Sequence, residues 1–499
     1  MKTYHKTKIF FILFMLIQGF TSCKKDLLNT TPTDQLAVST FWKTPDNADQ
    51  GLTALYAYLL NGGGGYSVTL YTPMAWDTFS DDCYSQYDYG GGTSSLASGL
   101  TPLSGGFVND YYIGAYNQIA AENAFLANVG KVLTGDKLNA YKGEAYFLRG
   151  FNYLMLAQLY GNVPITTDDP TTVPITTKRP TSLKADVLKQ AESDLNLAIT
   201  SLPDVAYGTG HAVKTTAMGY MVKLLLVEQR FADAATMANQ IISGHKYSLN
   251  TDYLQNFYKP GQNTSPEIMF SVKYQLPTIY HSPDINLYIG VWKGYLATQD
   301  LINEFEAGDP RLKMNFFFSG DTQAQGWNLT TNGGIATPGK DSWITGFYPL
   351  HKWINSSILD PSYSTQTDAD FVLLRYADVL LMYAEAQNEA SGPDNTVYSA
   401  VNLVRSRTGV NMPGLTLGLS QTDMRLKIRH ERRVEFPMEG FRYFDLKRWG
   451  LTTQKLNGFI QNPLFPAIKT KYQSNYDLWP IPQAEVDRNS PSMKQNPGY

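Results

Sequence analysis

Cysteine is almost missing: the 499-residue chain has two, Cys23 and Cys83. Two thiols cannot complete a structural zinc set, and a single bridge cannot staple so long a chain, so neither a zinc-built nor a disulfide-built fold is expected. Charge is sparse as well. Charged residues make up 17% of the chain and the net charge is -3 at pH 7, which leaves no basic field for nucleic acid or an anionic membrane surface. The apolar run Ile9 to Ile17 is about half the length, roughly 20 residues, that a helix needs to cross a bilayer.

Recognisable catalytic and metal motifs are lacking too. The six histidines are scattered, HERRV at His430 has no second histidine for a zinc-protease helix, and no GxSxG elbow occurs. GGIATPGKDS places Gly334, Gly339 and Lys340 at phosphate-loop spacing. Pro338, however, removes a cradling amide, and Asp341 stands where a hydroxyl would bind magnesium. No metal, cofactor or nucleotide is expected.

Length and aromatics are what the chain has in plenty. Beyond the size at which one core stops growing, it should form two domains or one repeat-built body. Aromatic residues reach 13%, with 33 Tyr and 8 Trp. Their flat apolar bodies and polar tips suit helix packing, wet interfaces and sugar faces alike.

The N-terminus carries Lys2, Lys6 and Lys8, the short apolar run, and small residues before Cys23, the pattern of a secretory signal peptide over residues 1–22. A bridge from Cys23 to Cys83 would tether only a terminus. Ser22-Cys23 instead resembles the end of a bacterial lipobox, with Phe20 in place of the usual leucine. Lipidation of Cys23 would anchor the mature chain without a spanning helix, and Lys24-Lys25-Asp26 resembles a surface-export signal of lipoproteins.

Lys24 to Pro45 reads as a tether, followed by a helix over Ala48 to Leu60 capped by Asp46. Tyr66 to Phe107 lacks sustained periodicity and scatters glycines among Trp76, Phe79, Tyr84, Tyr87 and Tyr89, a loop-rich pattern suited to binding. From Asn109 to Tyr160 apolar residues recur three and four apart, and GNVPI ends the second helix. Paired helices recur through residue 243 and again from Phe371 to Gly409, with Ala217, Ala234, Ala238, Ala377 and Ala384 at positions suited to close contact. GYMVKLLLVEQRFADAATMANQII resembles a tetratricopeptide unit, and an ordinary helical bundle is the alternative from pattern alone. Asn263 to Thr367 is irregular again, with Trp292, Tyr295, Trp327, Trp343 and Trp353 among Gly, Pro and Asn.

The expected binding surface therefore draws on Trp76, Tyr84, Tyr87, Tyr89, Trp292, Tyr295 and Trp343 as ring faces. Asp81 and Asp82 would orient ligand hydroxyls beside them. Adjacent acids usually point apart, so Asp81-Asp82 and Asp168-Asp169 are poor candidates for a glycosidase pair. The densest charge cluster, IRHERRVEFPMEGFRYFDLKRWG, alternates arginines with acids and reads as a network that locks helices.

That cluster also resembles the signature of the SusD/RagB family of outer-membrane nutrient-binding lipoproteins. The resemblance extends through CKKDLL, FWKTPDNADQGLTALYAYL, GEAYFLRGFNYLMLAQLYGNVPI, PEIMFSVKY, FEAGDPR, LLRYADVLLMYAEAQNEA, VNLVRSR and WPIPQAEVDRNSPSMKQNPGY, in shared order. It implies a mainly α fold of four tetratricopeptide-like helix pairs in a superhelical scaffold, with a loop-rich ligand region. The organisation would be a signal peptide over 1–22, an N-terminal region over 23–262 and a C-terminal region over 263–499. It further implies capture of oligosaccharides without covalent chemistry, and a TonB-dependent outer-membrane transporter as partner. The alternatives are an exported glycan-active enzyme on a helical scaffold and a pure protein-interaction scaffold.

Overall fold

The computed structural model describes residues 41–499 except 61–69, 86, 89–90, 175, 283, 319–347, 356–357, 359–361 and 463–465. The signal peptide, Cys23, Tyr89 and Trp343 therefore lie outside the described residues.

Helix α1 (Pro45–Ala57) begins three residues before the expected Ala48, with Thr44 rather than Asp46 at its N-cap. Proline fits the first helical position because its missing N–H is unneeded there, and the Thr44 N–H donates to Asn47 Oδ1 at 3.1 Å to close the end. After the short α2 (Pro73–Asp77) come two long helices, α3 (Phe107–Asn128) and α4 (Gly135–Leu159). Helix α4 stops where GNVPI predicted, at Gly161, whose φ of 71° only glycine adopts without strain. Helices α5 (Lys184–Ser201), α6 (Lys214–Val227) and α7 (Phe231–Ser243) continue the series.

Each helix from α3 to α7 packs on the next, the running stack of a tetratricopeptide-like scaffold. The stack then skips more than a hundred residues. Helix α7 packs directly on α8 (Tyr376–Ser391), which packs on α9 (Asn395–Arg405) and α10 (Gln421–Glu435), with α11 (Arg442–Arg448) beyond. Ala217, Ala234, Ala238, Ala377 and Ala384 are fully buried on α6, α7 and α8, helices that pack on one another. Capping is local: Asp394 accepts from Thr396 N–H at 2.8 Å, and Ser420 Oγ from Asp423 N–H at 3.1 Å.

The segment between α7 and α8 is an excursion pinned at its base. Strand β2 (Ile268–Val272) pairs antiparallel with β5 (Phe371–Arg375), so the chain leaves and re-enters the stack side by side. Gly219 of α6 lies against this ladder, and a Cβ there would sit 2.5 Å from Leu374 Cδ2. A second sheet, in the order β1 (Cys83–Ser85), β3 (Tyr295–Ala297), β4 (Tyr348–Pro349), joins the excursion to the first loop-rich segment. The two aromatic segments thus form one region, beside a core whose largest buried side chains include Trp353, Trp479, Arg311 and Arg375. Among the described residues no helix is long and apolar enough to cross a membrane.

Candidate functional site

The charge cluster folds inward. Arg375, at the end of β5, uses all five guanidinium donors: Glu439 takes two at 2.7 Å, Glu267 and Glu435 one each at 2.7 Å, and the Glu435 carbonyl one at 2.9 Å. Arg311 binds Asp309, Glu431 and Glu435, and Arg407 binds Glu267 and Glu435. Lys352 spends its three protons on Glu439, the Tyr253 hydroxyl and the Pro437 carbonyl. Burial lowers its pKa to about 8, with Glu439 opposing that loss. Burial also resists charge on Glu435, yet Arg407, Arg375 and Arg311 together hold it down at about 2. Arg407 Nε and Nη1 have no hydrogen-bond partner among the described residues, but every carboxylate named here is held by a buried cation, so the cluster ties protein to protein.

Asp81 and Asp82 belong to the same system, which corrects the expectation that they face a ligand. Arg442 grips both oxygens of Asp81 at 2.8 Å, while Arg433 reaches Asp82 at 2.7 Å and also Asp300 and Glu304. Both acids are almost fully buried. They titrate as a unit: burial opposes charge on each, the two arginines hold Asp81 well below the usual carboxylate range, and Asp82 beside it is pushed up to about 6. Their backbones are tied as well, since Thr298 donates to the carbonyls of Asp82 and Asp81. The acids thus anchor the chain entering β1.

Trp76 is likewise a core ring, 5% exposed. It stacks on Trp479 at 5.9 Å and 15°, meets Phe107 edge-on at 4.8 Å, and donates its Nε1–H to the Leu70 carbonyl. Trp76 also borders an apolar cavity of about 100 Å³, but the wall groups Lys223, Arg432 and Asp445 are all ion-paired. Tyr295, expected as a ring face, is buried on β3 opposite Ser85, edge-on to Tyr288 at 5.6 Å. Tyr84 is half-buried on β1, paired with Leu296.

Two of the expected rings do meet near the surface. Tyr87, 39% exposed, and Trp292, partly buried, have centroids 6.5 Å apart at 69°. A third ring, absent from the expected set, completes the group: Tyr363, 77% exposed, lies 5.3 Å from Trp292 at 63°. Buried Tyr288 supports both Tyr87 and Trp292 from 6.4 and 6.3 Å. The rings come from three loops, so their mutual tilt makes an angled surface rather than a flat stack.

The frame beneath Tyr87 is fixed. Asp88 accepts from the N–H groups of Thr93 and Ser94, and Ser85 N–H donates to Thr93 Oγ1 at 3.0 Å. Burial pushes Asp88 up to about 6 against those hydrogen bonds. An angled group of rings on a braced loop can exclude water from the apolar face of a ring-shaped ligand. Tyr363 carried one faint signal, an aromatic within the turn-forming run PSYST. Tyr288 carried none beyond the general aromatic excess.

Comparison with known proteins adds the relatives. A family model described as the SusD family matches residues 230–499, and another, described as starch-binding associating with outer membrane, matches 71–226. SusD-like protein P2 of Formosa agariphila is 26% identical over 99% of this chain and 100% of its own. A SusD-like carbohydrate binding protein from Bacteroides fragilis has a similar structure, with a TM-score of 0.78 at 23% identity over 91% of this chain and 100% of its own. A laminarin binding SusD-like protein superposes with a TM-score of 0.73 at 22% identity over 92% of this chain and 100% of its own.

Proposed function

The chain belongs to the SusD family, and from that premise we propose that it captures glycans through the Tyr87, Trp292 and Tyr363 surface without cleaving them. The observation that carries this reading is the ring group itself: aromatic side chains left near solvent by a loop region that is otherwise tightly braced. Solvent-facing rings cost hydration that a sugar face recovers on binding. Names of similar proteins support it, since they include a laminarin binding protein and a surface glycan-binding protein A from Bacteroides fluxus.

The remaining parts of the proposal rest on the lipobox-like N-terminus and on what the family resemblance implies. Acyl chains on Cys23 anchor the mature protein to the outer membrane on its external side, and the captured glycan passes to a TonB-dependent transporter on which the protein sits. The regions 23–262 and 263–499 each contribute helix pairs and one aromatic loop segment in this reading. Trp343 and Tyr89 stay as proposed contributors to the surface.

The test is binding of purified protein to a panel of soluble polysaccharides by affinity electrophoresis and calorimetry, with product analysis alongside. Retardation by at least one glycan with no new reducing ends is the expected result. Turnover of a bound glycan, or no retention by any, rejects the reading. In cells, Cys23→Ala is expected to move the protein from the membrane to the soluble fraction.

A further inference from the structure

Among the described residues every arginine but Arg429 is ion-paired with an acid. Arg429 sits on α10, half-buried, one turn after Arg425. The two acids of α8 beside it are already spent. Glu389 takes two donors of Arg425, both at 2.6 Å. Glu385 takes Arg448 through both oxygens, and the Trp449 Nε1–H at 2.8 Å. Further out, Arg432 has Asp445 and Lys223 has Asp378. Each neighbouring cation thus has its own acid, and the excess stays at the single charge of Arg429.

The unmatched guanidinium is nevertheless held in place. Its Cζ lies 4.7 Å from the centre of the Trp449 ring, and Arg448 lies over the same ring at 4.9 Å. The negative face of an indole attracts a cation set against it. The Nε–H of Arg429 is buried without a hydrogen-bond partner, whereas its two Nη groups make no bond within the chain and keep contact with solvent. Burial lowers its pKa, Glu385 and Glu389 oppose that, and Arg448 and Arg425 add to it. A network matched charge for charge elsewhere therefore ends, at this edge, on a fixed fork of outward donors.

We propose that Arg429, backed by Trp449, is a binding site for a single carboxylate group, which accepts from the two Nη groups. Shape and charge select the class. A guanidinium meets a carboxylate with two parallel hydrogen bonds, a fit that a point charge lacks. One excess positive charge is matched by one negative charge, while a phosphate dianion would bring a second, uncompensated charge towards Glu385 and Glu389. The indole excludes water from one side of the pair and so strengthens it. A free organic acid and an acidic side chain of a second polypeptide carry the same group. The site stands whether or not the outer rings bind polysaccharide.

NMR of the isotope-labelled mature protein, at neutral pH and constant ionic strength, reads the Arg429 Nε–H resonance, identified by its loss in Arg429→Lys. Acetate serves as the free-acid probe, a capped Gly-Glu-Gly peptide as the side-chain probe and methyl phosphate as the dianion control. A saturable shift with at least one carboxylate in the millimolar range, ahead of methyl phosphate, is expected. Equal affinity for acetate and peptide assigns the site to free acids, and clear preference for the peptide assigns it to a polypeptide. In ligand-observed NMR, Arg429→Gln should weaken carboxylate binding about tenfold or more. Arg429→Lys, which keeps the charge and loses the fork, should weaken it several-fold, and Lys427→Gln, an exposed cation of the same helix, should leave it unchanged. No saturable shift, tighter binding of methyl phosphate, undiminished binding by Arg429→Gln or Arg429→Lys, or an equal loss in Lys427→Gln overturns the proposal. Each of those results leaves polysaccharide retention as it was, and loss of polysaccharide retention with carboxylate binding intact rejects only the reading of the outer rings.

Discussion

Around α10, arginines meet acids from several parts of the chain with water excluded, whereas at the rim Tyr87 and Tyr363 each meet Trp292 and leave ring surface to solvent. The two regions lie in one molecule and share an anchor, since Arg433 and Arg442 hold the acids that precede the Tyr87 loop. The difference teaches where rigidity comes from. Buried charge must be matched donor for acceptor, which specifies one geometry, and that geometry lets a neighbouring loop display rings without collapsing onto them.

The comparison breaks most sharply at Arg375. Arg375→Ala leaves Glu267, Glu435 and Glu439 without their shared cation, and an uncompensated buried charge costs about 3–5 kcal/mol. Urea unfolding should show a loss at the upper end of that range, and a loss under about 1 kcal/mol would mean that the hub is not what holds the fold. The same change at two tryptophans separates the regions next. Trp76→Ala empties a core site and should cost about 3–4 kcal/mol of stability, while Trp292→Ala should lower glycan affinity by about 2 kcal/mol with a smaller change in melting.

Acid should strike the hub before the rim. Glu435 and Asp378 have folded pKa values of about 2, below their unfolded values. The unfolded chain therefore binds more protons between about pH 4.5 and about pH 2, and stability is present above that window and lost as pH falls through it. For Glu435 the effect is on the order of 3 kcal/mol, and unfolding curves across the window check it. Asp82, raised to about 6, works in the opposite sense, so stability contributed by its proton declines as pH rises from about 4 to about 6. The smallest expected effect is at Tyr363. Tyr363→Ala should cost about 1 kcal/mol of glycan affinity and leave the melting temperature close to native, as calorimetry on both properties would show.

Much of the frame was legible before any coordinates. The helices from Asn109 to Leu159 and from Tyr376 to Arg405 advertise themselves by a 3.6-residue period, and the alanines mark where they touch. The arginine and acid alternation near residue 430 announced a lock, though not its partners. Arg433 meets Asp82 across 351 positions of chain and Arg442 meets Asp81 across 361, distances at which local pattern carries no pairing information. The candidate site was legible only in part. Trp76 and Trp292 both sit in loop-rich surroundings, yet one lies under Trp479 and the other beside Tyr363.

Helix periodicity, capping residues and small contact residues are local properties, so the chain alone settled the helical class. Which rings reach solvent, and which acids find a guanidinium, depended on strands and helices brought together from hundreds of positions apart. Burial belongs to the assembled fold, and exposure is what turns an aromatic residue from packing into a surface.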